Sequence, residues 1–348
     1  MNLLETYNKI LSNPEKWKYY SRMDLSGIRC EVSTLFRNDD NARRFIERYF
    51  QAGNKLNIFY DHSQTGMESR WTHTLSVFLL GIVLSDVLGI DMTEENECHN
   101  KANLYHWFLT CLYHDYGYVI EKNPSVYPPR EYRLHKLYRD CNGNPKYYLR
   151  NRKRESEFSD SVRWRYYEWG RRKRDGFVNH GIIGGLMLYS QLCEFLEMMI
   201  KNHGGQTDFI DDNIGLHYSI NQITDFALCA DAIIAHNIWF NVSPLSELKL
   251  IDGERHVYKQ WLTALLVLCD TIEPLKAFPN DDYISVLENI NIDFNSTTDS
   301  INISGDYSGV DYSQYLGKCE SLKTWTYAKV DKDDRNVTLN NIRKLYRL

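Results

Sequence analysis

Features that mark secreted or membrane proteins are scarce in this sequence. The eight cysteines form no Cys-x-x-Cys pair, and several lie inside apolar segments. We therefore expect reduced, buried thiols in a cytoplasmic protein rather than a disulfide framework. The first residues contain no long apolar run, so we expect no signal peptide. The most apolar stretch, residues 75–90, is interrupted by two serines and Asp86, which favours a buried helix over a membrane span.

An excess of one charge sign is also missing. Lys and Arg together number 41 and Asp and Glu 46, which gives a net charge of −5 at pH 7. This balance argues against a polycation that coats nucleic acid. The sequence has no internal repeat and no Gly/Ser-rich linker. With 348 residues, of which 43% are hydrophobic, the chain can bury a sizeable core and form one large domain or a core with an appendage.

Hydrophobic periodicity predicts a mostly helical protein. Residues 1–60 have the pattern of short amphipathic helices. Longer apolar helices are predicted for residues 71–90, 103–120, 181–202, 222–240 and 257–273. Hydrophobic and polar residues alternate in residues 287–295 and 300–304, which predicts a β-hairpin. We therefore expect an all-α bundle core over residues 1–280 and a small β-hairpin with a tail over residues 281–348.

Residues 121–178 differ from the rest of the chain in composition. Residues 121–180 hold 16 Lys/Arg against 8 Asp/Glu, a net charge of +8, and four prolines that interrupt helices. The basic residues cluster at 150–154 and 171–174. One interpretation is a solvated insertion whose aromatic residues pack on the core. The other is a basic flap that binds a polyphosphate or, through residues 150–174, a nucleic acid strand.

Several of the predicted apolar helices carry ionisable side chains. Burying such a group is costly unless a partner compensates for its lost hydration. Imidazole and carboxylate without thiolate are suitable ligands for Mn, Fe, Co, Ni or Zn. Each group alone is more often a hydrogen-bonded core residue, but six of them on successive predicted helices indicate a site for divalent transition metals. The six are His73, His114, Asp115, His180, His236 and Asp270.

The spacing of these residues suggests how they meet. Neighbours on a helix differ in direction by about 100°, so His114 and Asp115 can flank one cation, and the two oxygens of Asp115 can bridge to a second. Three glycines would let the helix that carries His180 approach another backbone closely. They are Gly181, Gly184 and Gly185.

The adjacent pair His114-Asp115, followed by Gly117, resembles the HD-domain superfamily of metal-dependent phosphohydrolases, which is named after that pair. Over residues 70–273, the order His, His-Asp, His, His, Asp is similar to the two-metal branch of the superfamily. The resemblance implies an HD-type helical bundle, two metals and a nucleophilic hydroxide between them. It further implies that one metal is held by His73, His114, Asp115 and Asp270, and the second by His180, His236 and the shared Asp115.

Arg70 begins a second motif. The string Arg-x-x-His-Thr-Leu-x-Val resembles the opening motif of the deoxynucleoside triphosphate triphosphohydrolases within this superfamily. The resemblance implies that Arg70 faces a substrate phosphate. If the helix has begun at Arg70, its side chain lies on the same face as His73. The alternative is a structural ion pair with a carboxylate such as Glu68 or Asp115.

The match to these enzymes ends after Gly117. Tyr118 stands where many HD proteins have Lys or His, and the triphosphohydrolases continue with a His-containing loop. The motif therefore does not identify the general acid, for which Lys122 and His135 are the candidates. The expected catalytic residues are Asp115, Arg70 and Lys122.

Three classes of function fit these patterns. The first is a phosphohydrolase that acts on a nucleotide or another phosphate ester, bound by the dimetal site, Arg70 and the basic insertion. The second is a di-iron oxygenase, because the ligand order also resembles the relatives of myo-inositol oxygenase, but Arg70 and the insertion have no role there. The third is a non-catalytic HD protein that senses a nucleotide or RNA, which would not need six ligands. The sequence favours the first class and leaves the oligomeric state open.

Overall fold

Helices make up most of the residues that the structure describes. The computed structural model describes residues 2–20, 22–28, 30–53, 70–94, 102–118, 180–211, 216–236, 261–278, 282–295, 297–305, 312–324, 329–332 and 336–340. This part of the chain is mostly helical with two small antiparallel sheets, which confirms the predicted fold class at that level. The basic insertion at residues 121–178, with Lys122 and His135, lies outside the described residues.

Short helices form the N-terminal part, as predicted for residues 1–60. They are α1 (Leu3–Leu11), α2 (Val32–Leu35) and α3 (Asp39–Ala52). Asn2 and Asn38 cap α1 and α3, each by accepting the backbone N–H three residues later. The apolar residues of each helix lie on its buried face, so the amphipathic pattern of the sequence sets how these helices pack.

Longer helices surround the candidate site. They are α4 (Trp71–Leu88), α5 (Asn103–His114), α6 (His180–Asn202), α7 (Gln222–Ala235) and α8 (Trp261–Ile272). Helix α5 ends six residues before its predicted end at residue 120, and α7 ends five residues before its predicted end at residue 240. Asp115 takes the C-cap position of α5, and His236 takes that of α7. Both of these candidate ligands therefore lie at the end of a helix rather than within it.

Helix α4 is apolar on all sides. Within the described part of the chain it is the one helix long and apolar enough to span a membrane, and most of its residues are buried inside the protein. This burial inside the protein fits a core helix. The prediction of a buried helix at residues 75–90 is thus confirmed, while the cytoplasmic location stays a prediction.

The strands form two separate sheets. A hairpin of β1 (Asp208–Asp211) and β2 (Leu216–Ser219) joins α6 to α7 and was not predicted. The second sheet follows α8 and has four strands, β3 (Ile290–Asn295), β4 (Ser300–Gly305), β5 (Lys329–Lys332) and β6 (Asn336–Asn340). Their order in the sheet is β3-β4-β6-β5, with every pair antiparallel. Two helices lie in the same part of the chain, α9 (Tyr283–Asn289) before β3 and α10 (Tyr312–Glu320) between β4 and β5.

This second sheet contains the predicted hairpin as β3 and β4. The alternation begins later than predicted, because residues 287–289 are helical and Leu287 is buried. Apolar residues of the sheet belong to the same hydrophobic cluster as the helices, among them Ile290, Ile303 and Leu339. The predicted domain boundary at residue 280 stays a prediction, but this shared core links its two sides.

Helices α5, α7, α8 and α10 each carry one buried cysteine. They are Cys111, Cys229, Cys269 and Cys319. All four are free thiols, and burial raises the pKa of each. This confirms the expected buried thiols at these four positions. The free thiols of Cys30 and Cys193 are only partly buried, and Cys98 and Cys141 lie outside the described residues.

Candidate metal centre

Two overlapping groups of His and Asp side chains lie at the centre of the helices. The first is His73 from α4, His114 and Asp115 from the end of α5, and Asp270 from α8. The second is Asp115, His180 from the start of α6, and His236 from the end of α7. In each group the ligand atoms lie within 4.8 Å of one another. The structure thus brings together all six residues singled out in the sequence, and Asp115 belongs to both groups.

The imidazole nitrogens that point away from the centre are held by hydrogen-bond acceptors. Nδ1 of His73 lies 2.6 Å from a carboxylate oxygen of Glu273. Nδ1 of His114 lies 2.6 Å from the carbonyl oxygen of Cys111. Because an ionised carboxylate and a carbonyl only accept, Nδ1 donates in each pair and Nε2 of a neutral ring keeps its lone pair. The two Nε2 atoms lie 3.2 Å apart, so two lone pairs face each other unless a cation lies between them.

The charge state of His73 supports this interpretation. Burial lowers the pKa of His73, but Glu273 and Asp270 raise it by more, and the net shift is upward. The surroundings of the His73 ring therefore favour a positive charge, which a proton or a metal at Nε2 can supply.

His236 is prepared as a ligand in a similar way. Its Nδ1 donates to the carbonyl oxygen of Ile233 at 2.6 Å, which leaves Nε2 as the acceptor. Burial, followed by the nearby imidazole of His180, lowers the pKa of His236 to about 3. The ring is therefore neutral at neutral pH, which is the form that binds a metal.

Asp115 Oδ1 faces one imidazole from each ligand group. It lies 3.6 Å from Nε2 of His114 and 3.6 Å from Nε2 of His180. Among the described residues it is fully buried and accepts no hydrogen bond. Burial raises the pKa of Asp115, but nearby cationic groups, chiefly Lys276, lower it by more, and the net value is well below the usual range. A buried, ionised acceptor without a donor fits coordination to a cation.

Glycines allow the helices to meet at this distance. A Cβ at Gly117 would lie 1.9 Å from the carbonyl oxygen of His180, and one at Gly184 would lie 2.4 Å from that of Tyr113. A Cβ at Gly181 would likewise lie 2.7 Å from the carbonyl oxygen of Ile233. The predicted close approach of the helix that carries His180 is thus confirmed, and it involves both α5 and α7.

Arg70 reaches the centre from just before α4. Its backbone is not helical, so it is the N-cap residue and the helical-face argument does not apply to it. Its Nη1 lies 2.7 Å from Oδ2 of Asp115, which is the ion pair considered as an alternative in the sequence. Arg70 also lies over the ring of Tyr118, with Cζ 4.1 Å from the ring centroid.

Tyr118 connects this cation to a candidate ligand. The ring of His180 stacks on Tyr118 with 3.6 Å between the centroids and an angle of 18°. Since two groups this close cannot share one face, Arg70 and His180 must lie on opposite faces of the Tyr118 ring. The residue that departs from the HD pattern therefore holds a metal-ligand candidate in place through stacking.

Sequence reasoning missed Glu273 and Lys276. Glu273 orients His73 and also accepts the backbone N–H groups of Leu275 and Lys276, which fixes the turn after α8. Nζ of Lys276 then lies 3.0 Å from Oδ1 of Asp270. Glu273 follows Asp270 by three residues, a helical spacing that could have revealed it. Lys276 lies beyond Pro274, where the helical periodicity of hydrophobic residues has ended.

Comparisons with known proteins do not assign the chain to a family. No family model, no curated protein and no solved structure matches it. The description of the site therefore rests on the structure alone. It is a buried His/Asp cluster that could hold metal, and it is compatible with an HD-like site.

Proposed function

We propose that the protein is a metal-dependent phosphohydrolase of HD type that acts on a nucleotide or another phosphate ester. The observation that carries the proposal is the pair of ligand groups joined by Asp115, with two cationic side chains beside the ligand carboxylates. The first group would hold one divalent transition metal and the second group another. Two such metals, when bound, lower the pKa of a bridging water and offset the charge that develops on a phosphoryl group.

The exposure of the side chains indicates from which side a substrate enters. Asp115 and His114 have no exposed side-chain surface, whereas Arg70 and Lys276 are each 24% exposed. These two cations therefore lie at the solvent-facing edge of the ligand cluster. A guanidinium and an ammonium in that position would bind the oxygens of an incoming phosphate.

The balance of charge favours an anionic substrate. Three carboxylates with lowered pKa values, those of Asp115, Asp270 and Glu273, lie beside three cations, so these groups sum to zero. The cations are Arg70, Lys276 and Lys318. Two divalent metals would raise that sum to +4. A phosphate ester compensates for this charge, whereas the neutral sugar alcohol of an inositol-type oxygenase does not.

Phosphate release from a nucleotide panel tests the proposal. Protein loaded with Mn²⁺, Co²⁺, Ni²⁺ or Fe²⁺ should release phosphate or cleave a phosphodiester in at least one member of the panel. Asp115→Asn keeps the shape of the side chain but removes its charge, and it should lower turnover by more than about 100-fold. Asp86→Ala, which removes an exposed carboxylate on α4, serves as the control and should leave turnover unchanged.

The outcomes separate the three classes of function. Turnover that survives Asp115→Asn would place the chemistry elsewhere in the protein. Oxygen consumption that depends on Fe²⁺, without phosphate release, would favour the di-iron oxygenase. Tight binding of a nucleotide or RNA without turnover, under any of the four metals, would favour the sensor.

A further inference from the structure

Near the end of α8, the backbone carbonyl of the candidate ligand Asp270 lacks its helical hydrogen bond. In an α-helix the carbonyl of residue 270 accepts the N–H of residue 274, but residue 274 is proline and has no N–H. The backbone of Pro274 is nevertheless in the helical region, with φ −80° and ψ −33°. The carbonyl of Asp270 therefore needs a donor from elsewhere in the fold.

Helix α10 supplies that donor. Nζ of Lys318 donates to the carbonyl oxygen of Asp270 at 2.9 Å. One turn earlier on α10, the hydroxyl of Tyr315 donates to the carbonyl oxygen of Ile272 at 2.7 Å. In a continued helix the N–H groups of Leu275 and Lys276 would donate to the carbonyls of residues 271 and 272, but here both donate to the carboxylate of Glu273. The last turn of α8 is thus completed by side chains some forty-five residues later in the chain.

We propose that Lys318 is a positioning residue of the metal centre, which holds Asp270 in place through its backbone carbonyl. The inference rests on the proposed metal centre but not on its hydrolytic activity. A buried carbonyl without a donor is unfavourable, so without Lys318 the last turn would rotate or fray to reach another partner. That movement would shift Asp270 and Glu273 together, and through Glu273 also His73. The ammonium additionally faces the negative end of the helix dipole.

Binding of Mn²⁺ alone tests the proposal, with no substrate required. The 348-residue chain carrying His236→Ala isolates the first ligand group, and its Mn²⁺ affinity is measured by electron paramagnetic resonance titration. In this background Lys318→Met should weaken Mn²⁺ binding about 10-fold or more, because the loss of a hydrogen bond that holds a metal ligand in place typically costs that much affinity. Gln314→Ala, at an exposed position on the same helix, is the matched control and should bind as the parent does.

A second change distinguishes positioning from charge. Pro274→Ala restores an N–H that can donate to the carbonyl of Asp270, so the double variant Lys318→Met/Pro274→Ala should regain Mn²⁺ affinity to within about 3-fold of the parent. Unchanged affinity in Lys318→Met, or a loss that Pro274→Ala does not restore, would overturn the proposal.

The remaining outcomes are also decisive. If Lys318→Met does not fold, a double variant that folds and binds Mn²⁺ supports the role of the carbonyl, and one that stays unfolded overturns it. Failure of the wild-type chain to bind Mn²⁺ would overturn the metal centre itself. That result differs from wild-type binding that is insensitive to Lys318, which would overturn only the role of this residue.

Discussion

Asp115 offers one carboxylate to both ligand groups, whereas His180 and His236 serve only the second group. Protein fully loaded with Mn²⁺ or Fe²⁺ should therefore hold two metals per chain. His180→Ala and His236→Ala should each retain one metal. Asp115→Asn should lose both, because the second group then has no charged ligand and the first keeps only Asp270. Elemental analysis with anomalous scattering measures the number and position of the metals. At most one metal in the loaded wild-type protein would contradict the assignment of two groups.

The lowered pKa of His236 predicts how stability depends on pH in metal-free protein. Above pH 6.5 the ring is neutral in both the folded and the unfolded chain. Between pH 6.5 and about 3 the unfolded chain takes up a proton that the folded chain does not, so folding weakens as the pH falls. The cost is about 1.4 kcal/mol per pH unit, or roughly 2–3 kcal/mol between pH 6.5 and 4.5.

His236→Gln removes this proton uptake while keeping a donor for the carbonyl of Ile233. Urea unfolding with a chelator present, at several pH values between 4.5 and 7, should show a shallower slope for the variant than for the wild type. Equal slopes in the two proteins would show that His236 titrates alike in the folded and unfolded chains.

At the scale of helices, the close contact between α5 and α6 depends on glycine. A Cβ at Gly117 would overlap the backbone of His180, which cannot yield as a flexible side chain would. Gly117→Ala should therefore push the start of α6 away from Asp115, lower the melting temperature and cause selective loss of the second metal.

Gly317→Ala is the control for this prediction. Gly317 lies within α10, and a Cβ there would meet no atom within 4 Å. In a helix interior, alanine in place of glycine stabilises by roughly 0.5–1 kcal/mol, so this variant should keep both metals and melt at the same or a higher temperature. The comparison is contradicted if both glycine variants bind metal alike.

The helices that hold the site could be predicted because their signals are local. The apolar run of α4 predicts burial, and the glycines of α6 predict close packing. The candidate ligands lie on or beside such segments. The short strands β1 and β2 carry too few residues for a clear alternation. Lys276 and Lys318 could not be found, because their roles arise from the turn that Pro274 and Glu273 impose after α8.

At the scale of the whole molecule, the C-terminal sheet and the helices share one core. Removal of residues 281–348 would expose the surface that packs on Ile290 and Ile303, and it would also remove Tyr315 and Lys318 from the end of α8. A chain that ends at residue 280 should therefore lose cooperative unfolding and Mn²⁺ binding together. Circular dichroism during heating, with Mn²⁺ titration of the same sample, measures both. A cooperative transition with normal Mn²⁺ binding would show that residues 281–348 are an independent appendage.

The alkylation rates of the four buried thiols can report on the opening of individual helices. A thiol reacts with an alkylating reagent as the thiolate, and burial with a raised pKa suppresses that form while its helix is closed. The labelling rate of each cysteine, read by mass spectrometry of its peptide, therefore reports how often its own helix opens. Cys269 adjoins Asp270, and the carbonyl of Cys111 orients His114. Metal should slow labelling at these two positions, in α8 and α5, more than at Cys319 in α10. The native cysteines would then show which helices metal binding stabilises, without any introduced label.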